Sequence, residues 1–583
     1  RLGGAGLRGN IGTASAQLSG FSIESQQPGA PFFVTGKVAA ERIDLLLPQA
    51  TPVGIGAERV EIDLAKTRLA FPPGRGAQIE GGVVLDTRNL SVSVEGGAAP
   101  GRKPPPPTRI GAGRLVFQLP ALAFDDTGGG GPSLNAREPL LNVDELRLDG
   151  PVVRGSVDRA AVRLRDVNVA GAGAPLTGSG TLTMDRLDLL VPGVEPITFA
   201  AGHVQVDLVE TRVALSPGQP PLAGGLVLEL RDVLGTLQEI GRRGNPPPPL
   251  TTAEMARLTA TVPAVTAARP YATAGSIGVA GPIVRMDRLR LGGADIQGTV
   301  RSADVRFDDI GVETAVPGPP VVATGKIMAR DLDLVIPDLD PIGIVAREFN
   351  ADLSRTRYAF PSQRVLIDGD FGLDMKDFAL RLYQHPPEGK PAAAPTRISA
   401  SRFAGKLPRL VIAERRRTSL KINVASPGLT FDGFGMEAAA GSDALVRLAS
   451  SKLALQRAEV DFDDGRTTMA VAVQAGVTAP DLSVVMVPQN GSTGARAQIG
   501  GLDVDLRRVA YRREGEAKGV GLQGRIGMGS MQGTLPPRQP GEAADRLALT
   551  GLKLDLADVD LTTGGDRPAW RARLDLALKS LAA

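Results

Sequence analysis

The chain has no cysteine among its 583 residues and only two histidines, His203 and His385. The lack of cysteine excludes disulfides, thiolate metal sites and a cysteine nucleophile. Two histidines in a chain of this length cannot supply a histidine metal site or a catalytic dyad that is repeated along it. No pair of carboxylates stands out either, so we expect a non-enzymatic protein with no catalytic residue, no bound metal and no cofactor.

Aromatic residues are scarce, at 4% of the chain, and Trp570 is the single tryptophan. Long apolar runs are missing too: none approaches the roughly 18 residues of a membrane-spanning helix, and no signal peptide is recognisable. We therefore expect no membrane span within this chain. Because it begins at Arg1 inside a repeated pattern, we expect a piece of a longer protein whose anchors lie beyond its ends.

A strong charge of one sign is the third absence. The formal net charge is +3, and positive and negative residues are interspersed apart from the short arginine run at 415–417. A nucleic-acid partner needs a basic patch or stripe, so none is expected. Glycine (72 residues) and proline (46 residues) are enriched, but they stay below the level that signals disorder.

What the chain does have is an internal repeat. A stretch with the pattern D-L-x-x-T-R occurs three times, and a degenerate fourth copy follows. The aspartate of this pattern recurs about every 145 residues. The length alone also suggests about four domains. We therefore predict four tandem units, at residues 1–146, 147–289, 290–430 and, in degenerate form, 431–583. The marker aspartates are Asp63, Asp207, Asp352 and Asp505.

The repeated stretch is a strand with a phase slip. Val60, Ile62 and Leu64 alternate with acidic residues, which is the period of two of a half-buried strand. Beyond Leu64 the apolar residues move to odd positions, and the slip falls at the same place in the next two copies. A β-bulge explains this slip; a tight turn is the alternative, although it lacks the glycine or asparagine that such turns favour. We interpret the aspartate and the Thr-Arg pair as a solvated face with a cross-strand ion pair, with ligand binding as the alternative.

Proline marks further places in each unit. Because proline cannot donate to a ladder, one strand is predicted to end there in each copy. A proline-rich loop, interpreted as a stiff connector rather than a recognition motif, follows at 104–107, 246–249, 386–395 and 536–540. Each unit is then predicted to close at a Leu-Pro or Val-Pro pair, at 119–120, 262–263 and 407–408, followed by a last strand that leads into the next unit. The strand-ending prolines are Pro48, Pro192, Pro337 and Pro488.

Three short motifs suggest other structures and are rejected. The run 519–524 spells G-x-G-x-x-G but opens no helix, and 461–465 resembles half a calcium loop without its closing glutamate. The run 251–254, with Met255 and Leu258 behind it, matches a capping box that opens a helix. Its counterparts in the other copies contain glycine and serine, which are poor helix formers. We therefore interpret the match as accidental or as a single local turn.

The predicted fold class is all-β, with tandem repeats of long antiparallel strands that form an elongated curved sheet with a groove. Each unit has room for about five to seven strands of about 8–14 residues and almost no helix. Tandem β-sandwiches are the alternative. No amphipathic helix is present to cover the apolar face of such a sheet. Its inward residues are aliphatic, whereas sandwich cores usually use larger aromatic anchors, which favours an open groove.

Two stretches, 155–171 and 178–189, carry a resemblance to a known group. With the long alternating strands, the unit length, the loop that closes each unit and the missing helices, they resemble the AsmA-like and TamB-like bacterial envelope proteins. The resemblance covers the whole chain, although its units are more alike than is usual in that group. It implies a repeating β-groove of a bridge-like lipid transfer protein in the periplasm of a Gram-negative bacterium. Members are anchored in the inner membrane, here by regions outside this chain.

The expected function is a lipid-binding groove segment that moves phospholipid or similar amphiphiles between membranes. Its partners are lipid acyl chains and, through absent segments, membranes. The alternative is a structural or adhesive array of separate β-domains at the extracellular surface. The residues expected to line the groove are Ile43, Leu45, Leu47, Val60, Ile62, Leu64, Leu187, Leu189, Val191, Val204, Val206, Leu208, Leu332, Leu334, Ile336, Phe349, Leu353, Leu502, Val504 and Leu506.

Overall fold

The structure is a computed structural model of the chain. The residues it describes are strand almost throughout, and none of them forms a helix, so no helix among them could cross a membrane. The fold is therefore all-β. The described residues are 2–3, 8–23, 32–47, 52–70, 78–95, 106–125, 133–151, 153–169, 176–192, 196–213, 222–237, 250–268, 276–293, 296–313, 321–337, 341–359, 366–383, 395–416, 419–425, 428–437, 444–463, 468–486, 495–514, 517–535, 543–563 and 569–582.

The chain divides into two compact units, Arg1–Ala294 and Asp295–Ala583. The first unit contains β1 (Leu2–Gly3), β2 (Arg8–Ile23), β3 (Phe32–Leu47), β4 (Val53–Ala70), β5 (Gln78–Val94), β6 (Thr108–Asp125), β7 (Ser133–Arg137), β8 (Leu140–Asp149), β9 (Arg154–Val169), β10 (Leu176–Val191), β11 (Ile197–Val213), β12 (Leu222–Leu237), β13 (Thr251–Ala268), β14 (Ser276–Ala280) and β15 (Ile283–Gly292).

The second unit has the same kind of strands. It contains β16 (Gln297–Glu313), β17 (Val321–Ile336), β18 (Ile342–Ala359), β19 (Leu366–Leu382), β20 (Thr396–Arg416), β21 (Ser419–Ala425), β22 (Gly428–Glu437), β23 (Ala444–Asp463), β24 (Thr468–Met486), β25 (Arg496–Glu514), β26 (Ala517–Thr534), β27 (Arg546–Thr563), β28 (Ala569–Ala577) and β29 (Ser580–Ala582).

Within each unit the strands form an antiparallel meander, in which each long strand pairs with the ones before and after it. One strand position in each repeat is split. β7 and β8 both lie between β6 and β9, and β21 and β22 both lie between β20 and β23. Five long strands and one split strand thus make one repeat. The boundaries predicted at 146/147, 289/290 and 430/431 lie inside β8, β15 and β22.

A row of β-bulges crosses the long strands at one height. Against β5, β4 changes register between Ala65 and Arg68, and the same change occurs in β11 and β18. The bulge predicted for the D-L-x-x-T-R strand is confirmed, because β4 continues unbroken through it where a tight turn would end the strand. At this row Gly36 lies so close to β2 that an added Cβ would overlap the carbonyl oxygen of Gln17. Gly180 meets β9 in the same way, so glycine is required there.

A second row of irregular backbone crosses every other strand of the first unit. Arg42 in β3, Asn89 in β5, Arg186 in β10 and Asp232 in β12 have φ angles of 48–53°. This left-handed conformation is uncommon for residues other than glycine. The register on either side of these residues is unchanged. The row therefore rotates the chain locally without inserting a residue into the ladder.

At the height of the left-handed row, the apolar core of the first unit has a spacing of three residues. In a regular strand, residues three apart lie on opposite faces. In five consecutive strands, β9 to β13, two apolar residues three apart contribute to one cluster. Apolar residues on both sides of the row therefore share one face. The pairs are Val157 and Ala160, Met184 and Leu187, Ala201 and Val204, Leu230 and Val233, and Met255 and Leu258.

Two predictions about the strands are wrong, and one open alternative is decided. The long strands have 16 to 21 residues rather than 8–14. The Leu-Pro and Val-Pro pairs do not close a unit, because Pro120 lies inside β6 and Pro263 lies inside β13. Both prolines lie at the height where the adjacent strand is split, so the missing N–H leaves no ladder hydrogen bond unmade. Of the two interpretations of the capping-box match, the local turn is excluded, because Thr251 begins the strand β13.

The other proline and motif predictions have mixed outcomes. Strands end directly before Pro192 and Pro337, as predicted. Pro48, Pro488 and nearly all of the proline-rich loops lie outside the described residues. The run 519–524 lies inside β26, and 461–463 ends β23.

Candidate functional site: the apolar face of the sheet

The centre of the apolar face is best formed in the second repeat. Val204 is 3% exposed and is surrounded by cluster members from the neighbouring strands, among them Leu187 and Leu230. Val206 and Leu228 pack against this cluster and are half-buried. The middle of the face is thus buried by its own neighbours, while the residues beside it keep part of their surface exposed.

The same face continues to an exposed rim at the strand ends. Val191 follows Leu187 and Leu189 at a spacing of two and pairs across the strands with Ile197. Val191 is 42% exposed and Ile197 is 47% exposed. The third repeat has an equivalent exposed pair, Ile336 with Ile342. The apolar face therefore runs from a buried centre to an open end.

The residues predicted in the first two repeats are brought together on this face. Leu187, Leu189, Val204 and Val206 belong to the second-repeat cluster or pack against it, and Leu208 is half-buried beside them. In the first repeat the predicted residues of β3 and β4 are half-buried. Their cross-strand partners are also small or apolar: Ile43 with Ala57, Leu45 with Ile55, Leu47 with Val53, Val60 with Ala40, Ile62 with Val38 and Leu64 with Gly36.

In the second unit, the predicted residues differ in burial. Leu332 and Leu353 are buried, whereas Leu334 and Phe349 are half-buried. The predicted residues of the fourth repeat are half-buried in β25 and pair with β26. These pairs are Leu502 with Met528, Val504 with Ile526 and Leu506 with Gly524.

Sequence reasoning missed the contribution of the fourth and fifth strands of each repeat. Leu230 and Val233 of β12 and Met255 and Leu258 of β13 complete the cluster. A spacing of three suits a helix as well as a strand that changes face, which is why Met255 and Leu258 resembled the start of a helix. The signal that could have found them is the recurrence of this spacing in five successive strands.

The second unit adds an aromatic ladder that the low aromatic content did not suggest. Phe378, Phe403 and Phe431 lie on three adjacent strands, with ring centroids 5.3 and 4.9 Å apart. Phe434 extends the ladder from Phe431 at 5.7 Å with its ring edge-on. Phe431 and Phe434 again have a spacing of three. Such ring pairs add about 0.5–1.5 kcal/mol each beyond the area they bury.

The opposite face carries a ladder of ion pairs. Arg114 Nη2 lies 2.6 Å from Asp86 Oδ2, and in the next repeat Arg257 Nη2 lies 2.9 Å from Glu229 Oε2. Hydrogen bonding from Arg114 lowers the pKa of the Asp86 carboxyl. Arg231, and then Arg257, lower the pKa of Glu229. This face is therefore charged and hydrated, in contrast to the apolar face.

The marker aspartate lies on the charged face, but the threonine of the D-L-x-x-T-R pattern does not lie at the surface. Asp63 pairs with Lys37 Nζ at 3.3 Å, and Arg68 pairs across the strands with Glu80 at 3.2 Å. Thr67 is 2% exposed and donates a hydrogen bond to the carbonyl oxygen of Gly82. The interpretation of Thr67 as a solvated residue is therefore wrong, because the bulge turns its hydroxyl toward the adjacent backbone.

No protein-family model matches the chain, and no curated protein matches its sequence. The resemblance to AsmA-like and TamB-like proteins stays a prediction from the strand pattern.

Proposed function

We propose that the chain is a lipid-binding groove segment of an AsmA-like or TamB-like envelope protein, which moves phospholipid or a similar amphiphile between membranes. The observation that supports this most is the apolar face with its exposed rim at Val191 and Ile197. Val191 and Ile197 keep 42% and 47% of their surface exposed, so no described element of the first unit covers the rim. An uncovered apolar surface is characteristic of an interaction site.

The mechanism is passive and makes or breaks no covalent bond. Acyl chains lie along the half-buried residues Val206, Leu228 and Leu189 and leave at the rim, while the headgroup stays in water. Burying each methylene of an acyl chain contributes about 0.8 kcal/mol, and this gain is the same at each step along an aliphatic surface. A lipid can therefore slide without meeting a site that holds it strongly.

The proposed location follows from the resemblance. A segment of this kind works in the periplasm, with its anchor in regions outside this chain. The charged face, with pairs such as Arg257 and Glu229, keeps the back of the sheet in contact with water.

The test is native mass spectrometry of the purified chain for co-purified lipid. We expect bound phospholipid in the parent and its loss in a Val191→Asp, Ile197→Asp double variant, because two carboxylates at the rim repel acyl chains. Val206→Asp tests the same face closer to its centre, and Leu334→Arg tests the apolar face of the second unit. Leu234→Asp is the matched control, since Leu234 is exposed at the same strand end and alternates in β12 with the cluster residue Val233. Equal lipid in the parent and in the folded double variant would exclude the groove.

A further inference from the structure

A cavity of about 800 Å³ lies on the charged face of the first unit, beside the split strand β7/β8. Its volume is within the range of small-molecule pockets, roughly 300–1,000 Å³. Arg163 and Arg165 of β9 line it, together with Thr181 and Thr183 of β10. Thr181 donates a hydrogen bond to the marker aspartate Asp207 at 2.8 Å, which identifies the face. The sheet therefore separates this cavity from the apolar face.

The split in the strand makes room for the cavity. Glu138 and Pro139 separate β7 from β8, and their backbone is bonded to β9. The Glu138 N–H donates to the carbonyl oxygen of Arg165 at 2.8 Å, and the N–H of Leu164 donates to the carbonyl oxygen of Pro139 at 3.0 Å. On the other side, Pro120 of β6 has no N–H to donate and no ladder partner in β7 or β8. The chain at the split is thus held to β9 and unpaired toward β6, which leaves a recess.

The two arginines of the cavity have no acidic partner: neither forms an ion pair with a described residue. Asp207, one strand beyond Thr181, instead accepts hydrogen bonds from Thr181 and Gln205. Glu138 also lines the cavity, but it pairs with neither guanidinium group. Two positive charges and one negative charge leave the lining with a net charge of +1. The guanidinium groups are therefore available to an anion.

The third repeat shows how the same strand position is neutralised. β9 has Ala161 and Arg163, and the equivalent residues of β16 are Asp304 and Arg306. Asp304 accepts two hydrogen bonds from Arg306, at 3.1 and 3.2 Å. The residue two positions further on is an arginine in β9 and an aspartate in β16. The second repeat therefore lacks both carboxylates that balance this position in the third.

We propose that this cavity binds a phosphate group that has hydroxyl groups beside it, as in a phosphorylated polyol or a lipid headgroup of that kind. Arginine suits phosphate because its planar guanidinium donates two parallel hydrogen bonds to the oxygens. Glu138 opposes a second negative charge but accepts a hydrogen bond from a hydroxyl group, so a phosphate ester is favoured over inorganic phosphate. The volume of about 800 Å³ also has room for more than a phosphate ion.

The test is isothermal titration calorimetry of the whole chain with glycerol 3-phosphate and with inorganic phosphate. We expect one site that binds glycerol 3-phosphate more tightly. Arg163→Gln should weaken binding of both roughly tenfold or more, because charge-assisted hydrogen bonds are lost. Ala161→Asp should weaken binding to a similar extent, because the new carboxylate can hold Arg163 as Asp304 holds Arg306. Circular dichroism confirms that each variant is folded.

Two further variants make the result specific. Arg159→Gln is the matched control, because Arg159 is exposed on the same strand and does not line the cavity. It removes the same charge as Arg163→Gln and should bind phosphate like the parent. Glu138→Gln should bind inorganic phosphate more tightly than the parent does. A folded parent that binds neither compound, or an equal loss in Arg159→Gln and Arg163→Gln, would overturn the proposal.

Sedimentation with vesicles of phosphatidylcholine and phosphatidylglycerol distinguishes the two sources of the phosphate. Vesicle binding that is lost in Arg163→Gln and kept in Arg159→Gln assigns the site to a lipid headgroup. Binding of glycerol 3-phosphate without binding of vesicles assigns it to a soluble molecule. The Val191→Asp, Ile197→Asp variant should keep its affinity for glycerol 3-phosphate, because the cavity lies on the opposite face. Failure of the lipid proposal therefore leaves this one standing.

Discussion

Two regions of the apolar face contain the same residue types and differ in burial. In the centre, Val204 is 3% exposed and is enclosed by residues from the strands around it. At the rim, Val191 lies on the same face and is 42% exposed. The difference arises because the left-handed row brings apolar residues from both of its sides into the centre, whereas the rim has neighbours on one side only. The centre therefore stabilises the sheet, and the rim is free to contact a ligand.

The strongest test of this comparison is a buried charge. Val204→Asp places a carboxylate in the cluster without a partner, so we expect a loss of about 3–5 kcal/mol in the free energy of unfolding. Val191→Asp at the rim should lose less than about 0.5 kcal/mol. Urea denaturation followed by circular dichroism measures both variants. Similar losses for the two would show that the centre and the rim do not differ in this way.

Substitutions that shorten a side chain compare the centre and the rim without introducing a charge. Leu230→Ala removes a buried side chain beside Val204 and should cost about 2–4 kcal/mol. The matched change at the rim is Ile197→Ala, which removes an exposed side chain and should cost less than about 1 kcal/mol. The midpoints of urea unfolding give the ranking. A larger loss for Ile197→Ala would place the stabilising cluster at the strand ends.

The sequence predicted the strands better than the face on which each residue lies. Alternation in Val60, Ile62 and Leu64 identified β4, and the repeated phase slip identified its bulge. The left-handed residues were not predicted, because Arg186 is as compatible with a regular exposed position as with a φ of 53°. The available signal is the tetrad Met184-Asp185-Arg186-Leu187, in which two polar residues separate two apolar ones in a strand. Which residues are buried depends on the side chains that the neighbouring strands place beside them. The sequence of a single strand does not contain this information.

The left-handed row itself can be tested at Arg186. A β-branched residue is strongly disfavoured at positive φ, so Arg186→Val should cost about 1–3 kcal/mol. Arg186→Gly keeps the backbone conformation accessible and should be close to neutral, although it also removes the ion pair with Asp158. Asp188→Val, at an exposed position in the regular part of β10, is the control. Equal stability of Arg186→Val and the parent would mean that the face change does not depend on this conformation.

The smallest effect is expected on the charged face, and it depends on pH. The pKa of Glu229 is lowered from 4.5 by Arg231 and Arg257. A lowered carboxyl pKa contributes stability that is present above its ordinary value and is lost as the pH falls through the lowered one. Glu229→Gln should therefore lower the free energy of unfolding by about 0–1 kcal/mol near neutral pH. Between about pH 5 and pH 3, the free energy of unfolding should fall less in this variant than in the parent. Urea midpoints at the two pH values measure this difference, and an unchanged pH dependence would show that the pair contributes nothing. Because the charged face contributes so little, the burial at Val204 and Leu230 decides whether the sheet stays folded.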